Sequence, residues 1–141
     1  MIEKNLDELE ALKKEVEELD IHTTHSRILG SILHDFYSGV EKIFIRIANE
    51  LEGEPPESRS WHKVLLDDMS IELEGVRPAV LDEQLRRKLE EFLRFRHLFR
   101  GVYGFQLNHG RLDVLFNEFP DTYSDFMTAM KKFIEFLKTL L

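Results

Sequence analysis

The run Ser26–Leu51, SRILGSILHDFYSGVEKIFIRIANEL, decides the fold. Its side chains Ile28, Ile32, Phe36, Val40, Ile43, Ile47 and Leu51 recur at steps of three and four, the period of a helix that buries one face. Gly53 follows, the kind of residue that ends helices. The same period extends to both sides. Leu6, Leu9, Leu12, Val16 and Leu19 make residues 1–20 an amphipathic helix. His22-Thr23-Thr24-His25-Ser26 interrupts it, with Thr and Ser as candidate N-caps for the helix that follows.

Downstream, Glu54-Pro55-Pro56-Glu57 reads as a loop, and Trp61, Val64, Leu65 and Met69 as a short third helix. Gly75 to Val80, with Pro78, is a second loop. Asp82 is placed to cap a fourth helix carrying Leu85, Leu89, Phe92, Phe95, Phe99 and Val102, expected to stop near Tyr103 with Gly104 just past its end. From about Asn108 to Leu141, Leu112, Leu115, Phe119, Phe126, Met130, Phe133 and Leu137 keep the helical period, and Pro120 is expected to divide or kink that helix. No segment sustains a period of two. The expected fold is all-α, an up-and-down bundle of about five helices in a single domain over 1–141, with the second, fourth and last helices as its spine.

Composition narrows the function classes. The chain is 43% hydrophobic with 11 Phe, a globular rather than disordered composition. It has no Cys, which excludes disulfides, a thiolate metal site and a Cys nucleophile, and suits a cytoplasmic protein. No apolar run reaches the roughly 20 residues of a membrane span. The charged, helically spaced N-terminus reads as a surface or dimer-packing helix and not as a signal peptide. A net charge of −8 argues against a broad nucleic-acid surface. Against that background, Arg86, Arg87, Lys88, Arg94, Arg96 and Arg100 face only Glu90 and Glu91 between residues 86 and 100. Such a stripe reads either as a site for one phosphate group or as a solvated helix face.

The end of the fourth helix, Arg96–Gly104, reads RHLFRGVYG. At about 100° per residue, Arg96, Arg100 and Tyr103 fall within an arc of roughly 60° beside the Phe92, Phe95 and Phe99 stripe. A charge at that edge is costly without a partner. Arg96 and Arg100 therefore either pair with acids of neighbouring helices or hold a phosphodiester beside an imidazole that moves protons.

This segment resembles the Arg-x4–6-His signature of the HEPN superfamily, and more narrowly the Arg-x4-His-x-Tyr form of HepT-like ribonuclease toxins. Leu93–Arg100 and Val102–Phe105 carry the resemblance, together with Leu33–Glu41, Trp61-His62 and Val76-Arg77-Pro78, in the same order as in that branch. It spans residues 24–140. It implies a HEPN-like bundle and a metal-independent endoribonuclease without cofactor, acting on RNA, tRNA among the candidates, by 2′-OH attack. The cleft would form across a homodimer, and the partner would be a minimal nucleotidyltransferase antitoxin. Arg96 is the motif arginine, Tyr103 the motif tyrosine and a target for adenylylation, and His97 and Arg100 complete the catalytic set.

The motif histidine falls on Gly101, which has no proton-transfer group. Three readings stand: an inactive natural protein, substitution by His97 about 40° away on the helical wheel, or an engineered replacement of a toxic histidine. The alternative function is a catalytically silent HEPN module that dimerises and binds a nucleotidyltransferase. Elsewhere, His34-Asp35 reads as a capped or core-edge histidine, since adjacent helical residues point apart. His22 and His25 lack further metal ligands. His62 and His109 read as surface residues and Asp67-Asp68 as solvated.

Overall fold

The computed structural model describes residues 2–18, 26–53, 59–101 and 109–141, and the side chains of these except 15–18, 26, 27, 97–101 and 109. Among them are five α-helices and no strand: α1 (Ile2–Glu18), α2 (Ser26–Ile47), α3 (Trp61–Met69), α4 (Glu83–Gly101) and α5 (His109–Lys138). One isolated bridge joins Leu73 and Arg77. The all-α bundle expected from the periodicity is the observed architecture.

α2 is the central helix and packs against α1, α3, α4 and α5. Its buried stripe is broader than the sequence pattern suggests. Leu29, Leu33, Tyr37 and Phe44 join Ile32, Phe36, Val40, Ile43 and Ile47, whereas Ile28 is 45% exposed. Phe36 meets Phe92 of α4 edge-on at 5.3 Å and Phe119 of α5 at 4.9 Å, so three helices close around one ring. α2 ends in a π-helical turn, Ala48–Glu52, and stops at Gly53, whose φ of 94° suits glycine best. α1 is a full member of the bundle. It buries Ile2, Leu6 and Leu9, and it approaches α2 so closely at Gly39 that a Cβ there would lie 2.7 Å from Leu9 Cδ2.

α4 begins where Asp82 predicts, with the Leu85 N–H donating to Asp82 Oδ1 at 2.7 Å. It is described as far as Gly101, and the expected stop near Tyr103 and Gly104 lies outside the described residues. Of the candidate N-caps, Thr23 and Thr24 also lie outside them, and Ser26 is the first residue of α2. α5 runs unbroken through Pro120, against the expected division. Pro120 is exposed, while Phe119, Tyr123 and Phe126 around it are buried, so packing on the inner face holds the helix through the missing N–H.

The 70–82 connection is pinned by a buried arginine. Arg77 pairs with Glu52 at 3.1 and 3.3 Å and donates to the carbonyls of Asp68, Ile71 and Pro78 at 3.0, 2.8 and 3.0 Å. It ties the end of the π-helical turn to the C-terminus of α3, where carbonyls lack helical partners. That fixes α3 beside α2 and α4.

Candidate functional site

α2, α3 and α4 each bring one polar side chain to a single buried point. Glu41 lies on the inward face of α2, four residues after Tyr37 and three before Phe44, in surroundings otherwise apolar. Its carboxylate is 8% exposed and needs compensation. Arg96 supplies it from α4. Arg96 Nη1 donates to Glu41 Oε1 at 3.0 Å, and Nη2 donates to Oε2 at 3.0 Å, a fork-to-fork pair. Arg96 is only 1% exposed, and its guanidinium carbon lies 5.0 Å from the Tyr37 ring centroid.

His62, from the first turn of α3, closes the cluster. Its Nδ1 lies 2.7 Å from Glu41 Oε2 and 2.9 Å from Arg96 Nη2. The two contacts impose different tautomers. A lone pair on Nδ1 would face the carboxylate at 2.7 Å. A hydrogen on Nδ1 instead donates to Oε2, while Arg96 directs its own hydrogens at the same carboxylate. The second arrangement is the favourable one, and it leaves Nε2 as the basic nitrogen of the ring. The Trp61 ring lies against the imidazole, with centroids 3.6 Å apart. The ring is 19% exposed, so the cluster reaches the surface through His62.

Two atoms of the cluster, Tyr37 Oη and Arg96 Nε, have no hydrogen-bond partner among the described residues. Burial pushes the Tyr37 hydroxyl above its ordinary range, and the Glu41 charge pushes the same way. Tyr37 therefore stays neutral and presents its ring face to Arg96.

The cations of the α4 stripe meet carboxylates. Arg86 bonds Glu83, Glu90 and Asp67 at 2.7–3.0 Å, Arg87 bonds Glu83 at 3.2 Å, Lys88 bonds Asp125 at 2.8 Å, and Arg94 bonds Glu90 at 2.7 Å. Bonds from Arg86, then Arg87, hold Glu83 down to about 2, and a bond from Lys63 holds Glu90 below the usual range. From Arg86 to Arg94 the described stripe is thus a network of ion pairs, not an array of cations awaiting one phosphate. Asp67 belongs to this network through Lys63 and Arg86, and burial followed by the Glu52 charge raises Asp68, so neither is simply solvated.

Of the residues singled out in the sequence, Arg96 takes the pairing with an acid of a neighbouring helix. His97 and Arg100 lie in the last turns of α4 and Gly101 is its final described residue, with their side chains outside the description. Tyr103 lies outside the described residues altogether. His62, expected at the surface, is instead a bonded member of the cluster. Glu41 and Tyr37 carry the site without having been singled out. The available signal was a lone carboxylate within the core face of α2. His34 sits at the core edge, 22% exposed, 3.4 Å from Asp35. Among the described residues no group of three or more acids and histidines is placed to hold a metal, and no helix is long and apolar enough to cross a membrane.

A family model described as HepT-like protein matches residues 28–137, from the start of α2 almost to the end of α5. No curated protein and no solved structure matches the chain. The match covers nearly all of α2 and all of α3 and α4, hence Glu41, His62 and Arg96, and leaves α1 outside it. The chain belongs to the HepT-like family.

Proposed function

We propose that this protein is the HEPN-type ribonuclease component of a toxin–antitoxin pair. It cleaves RNA without a metal, by attack of a ribose 2′-OH on the adjacent phosphodiester. The observation that carries the reading is the motif arginine, Arg96, held within hydrogen-bond distance of an imidazole. A buried positive charge beside a proton-transfer group is what this chemistry needs, since charge builds on phosphate oxygens while a proton moves between oxygens. By the family resemblance His97, Arg100 and Tyr103 belong to the same catalytic set, and two copies of the chain bring their clefts together. The antitoxin is a minimal nucleotidyltransferase that adenylylates Tyr103.

A second reading rests on a specific observation. Both terminal nitrogens of Arg96 are already bonded to Glu41, and position 101 is glycine. A chain so arranged acts as a silent module that dimerises and binds the nucleotidyltransferase. Incubation with total RNA in EDTA separates the two. Cleavage that leaves 2′,3′-cyclic phosphate and 5′-hydroxyl ends supports the ribonuclease reading. Silence of the natural chain contradicts it, and cleavage that appears only in Gly101→His favours the module. Sedimentation tests the composite cleft, which a monomer at micromolar concentration would refute.

A further inference from the structure

We infer that His62 is the proton-transfer residue of this cleft, in place of the side chain that Gly101 lacks. The inference deepens the ribonuclease reading and rests on it. Three observations on separate helices lead there. His62 is the one described imidazole that lies against the motif arginine, its Nδ1 2.9 Å from Arg96 Nη2. Glu41 accepts its Nδ1 hydrogen at 2.7 Å and fixes both ring plane and tautomer, as the third member of a nucleophile–base–acid series orients its base. The ring is 19% exposed while Glu41 is 8% and Arg96 1% exposed, so within the cluster it is the imidazole that meets solvent. Glu41 is then a positioning residue that acts through His62, and Arg96 holds Glu41 in place beside the positive charge it supplies.

The step balances without a co-reactant beyond water. His62 Nε2 takes the proton of the 2′-OH as that oxygen forms its bond to phosphorus. The bond from phosphorus to the 5′ oxygen breaks, and its electron pair leaves on the 5′ oxygen, which takes a proton from water. The imidazolium returns its proton to solvent, and the products are a 2′,3′-cyclic phosphate and a 5′-hydroxyl.

His62→Asn is the informative substitution. The Asn amide nitrogen occupies the place of Nδ1 and can still donate to Glu41, but the side chain has no atom that exchanges protons near neutrality. The assay is RNA cleavage in EDTA by the full chain, His62→Asn, Gly101→His and the double variant His62→Asn/Gly101→His, with thermal melts as the folding control. The natural chain is expected to cleave, and His62→Asn to lose a factor of about 10²–10⁴, the usual worth of a general acid–base group. The double variant should regain cleavage, because a histidine at 101 restores proton transfer without restoring any structural role of His62. Cleavage by His62→Asn within threefold of the natural chain would overturn the assignment. That outcome leaves the ribonuclease reading intact, whereas cleavage by Gly101→His with a silent natural chain overturns the assignment and favours the silent module. Silence of both the natural chain and Gly101→His removes the ribonuclease reading and this assignment together.

Discussion

Replacing Arg96 by alanine leaves the Glu41 carboxylate, 8% exposed in the intact chain, with His62 at 2.7 Å as its remaining partner among the described residues. Removing one partner of a buried pair costs about 3–5 kcal/mol, because the other charge stays desolvated. A chain of 141 residues has about 7–20 kcal/mol of stability in hand, so the variant should fold but melt early. At about 3 °C per kcal/mol for this size, Tm should fall by about 10–15 °C. The double variant Glu41→Leu/Arg96→Met removes both charges and keeps the volume, and replacements of that kind are often neutral or stabilising by about 1–4 kcal/mol. It should recover most of the loss. Chemical denaturation of the three chains at pH 7 measures both quantities. A loss under about 1 kcal/mol for Arg96→Ala is the magnitude of a surface pair and would refute the burial argument. The consequence for function is practical. Loss of RNA cleavage in Arg96→Ala mixes chemistry with unfolding, which makes His62→Asn and Gly101→His the cleaner probes.

Three further outcomes are expected. Gly39→Val places methyl groups where Leu9, itself 2% exposed, already stands, so about 1–3 kcal/mol should be lost and amide protection in α1 should fall first. Asp82→Ala removes the side chain that accepts the Leu85 N–H and should cost about 1 kcal/mol in denaturant unfolding. Glu90 is held below its ordinary value of 4.5 by bonds from Lys63 and then Arg86, so its stabilisation is fully present above that value and is lost as pH falls through the lower folded value. Glu90→Gln should accordingly be less stable than the natural chain at pH 7, with the gap closing in acid. A gap that stays constant down the titration would contradict the assignment.

The helices were legible because periodicity reports burial directly. Phe36, Phe92, Phe119 and Phe126 fall in the core where their spacing puts them, and Gly53 and Asp82 end and begin helices by local chemistry. Pro120 does not divide α5, because local propensity is outweighed by the buried side chains around it. The site was half legible. Arg96 stood out through its motif and its costly edge position. Glu41 and His62 did not, since a carboxylate on α2 and an imidazole on α3 acquire meaning only when three helices bring them within 3 Å of the same guanidinium. The α4 cations misled for the same reason, as carboxylates such as Asp67 and Asp125 reach them from other helices.

The most direct measurement is the tautomer of His62, read from its ring nitrogen shifts by long-range ¹H–¹⁵N correlation at neutral pH. Glu41 can position this imidazole for proton transfer only if its hydrogen sits on Nδ1. A protonated Nδ1 bonded to Glu41, with a basic Nε2, is the expected result. A hydrogen on Nε2, with Nδ1 accepting from Arg96, would contradict it.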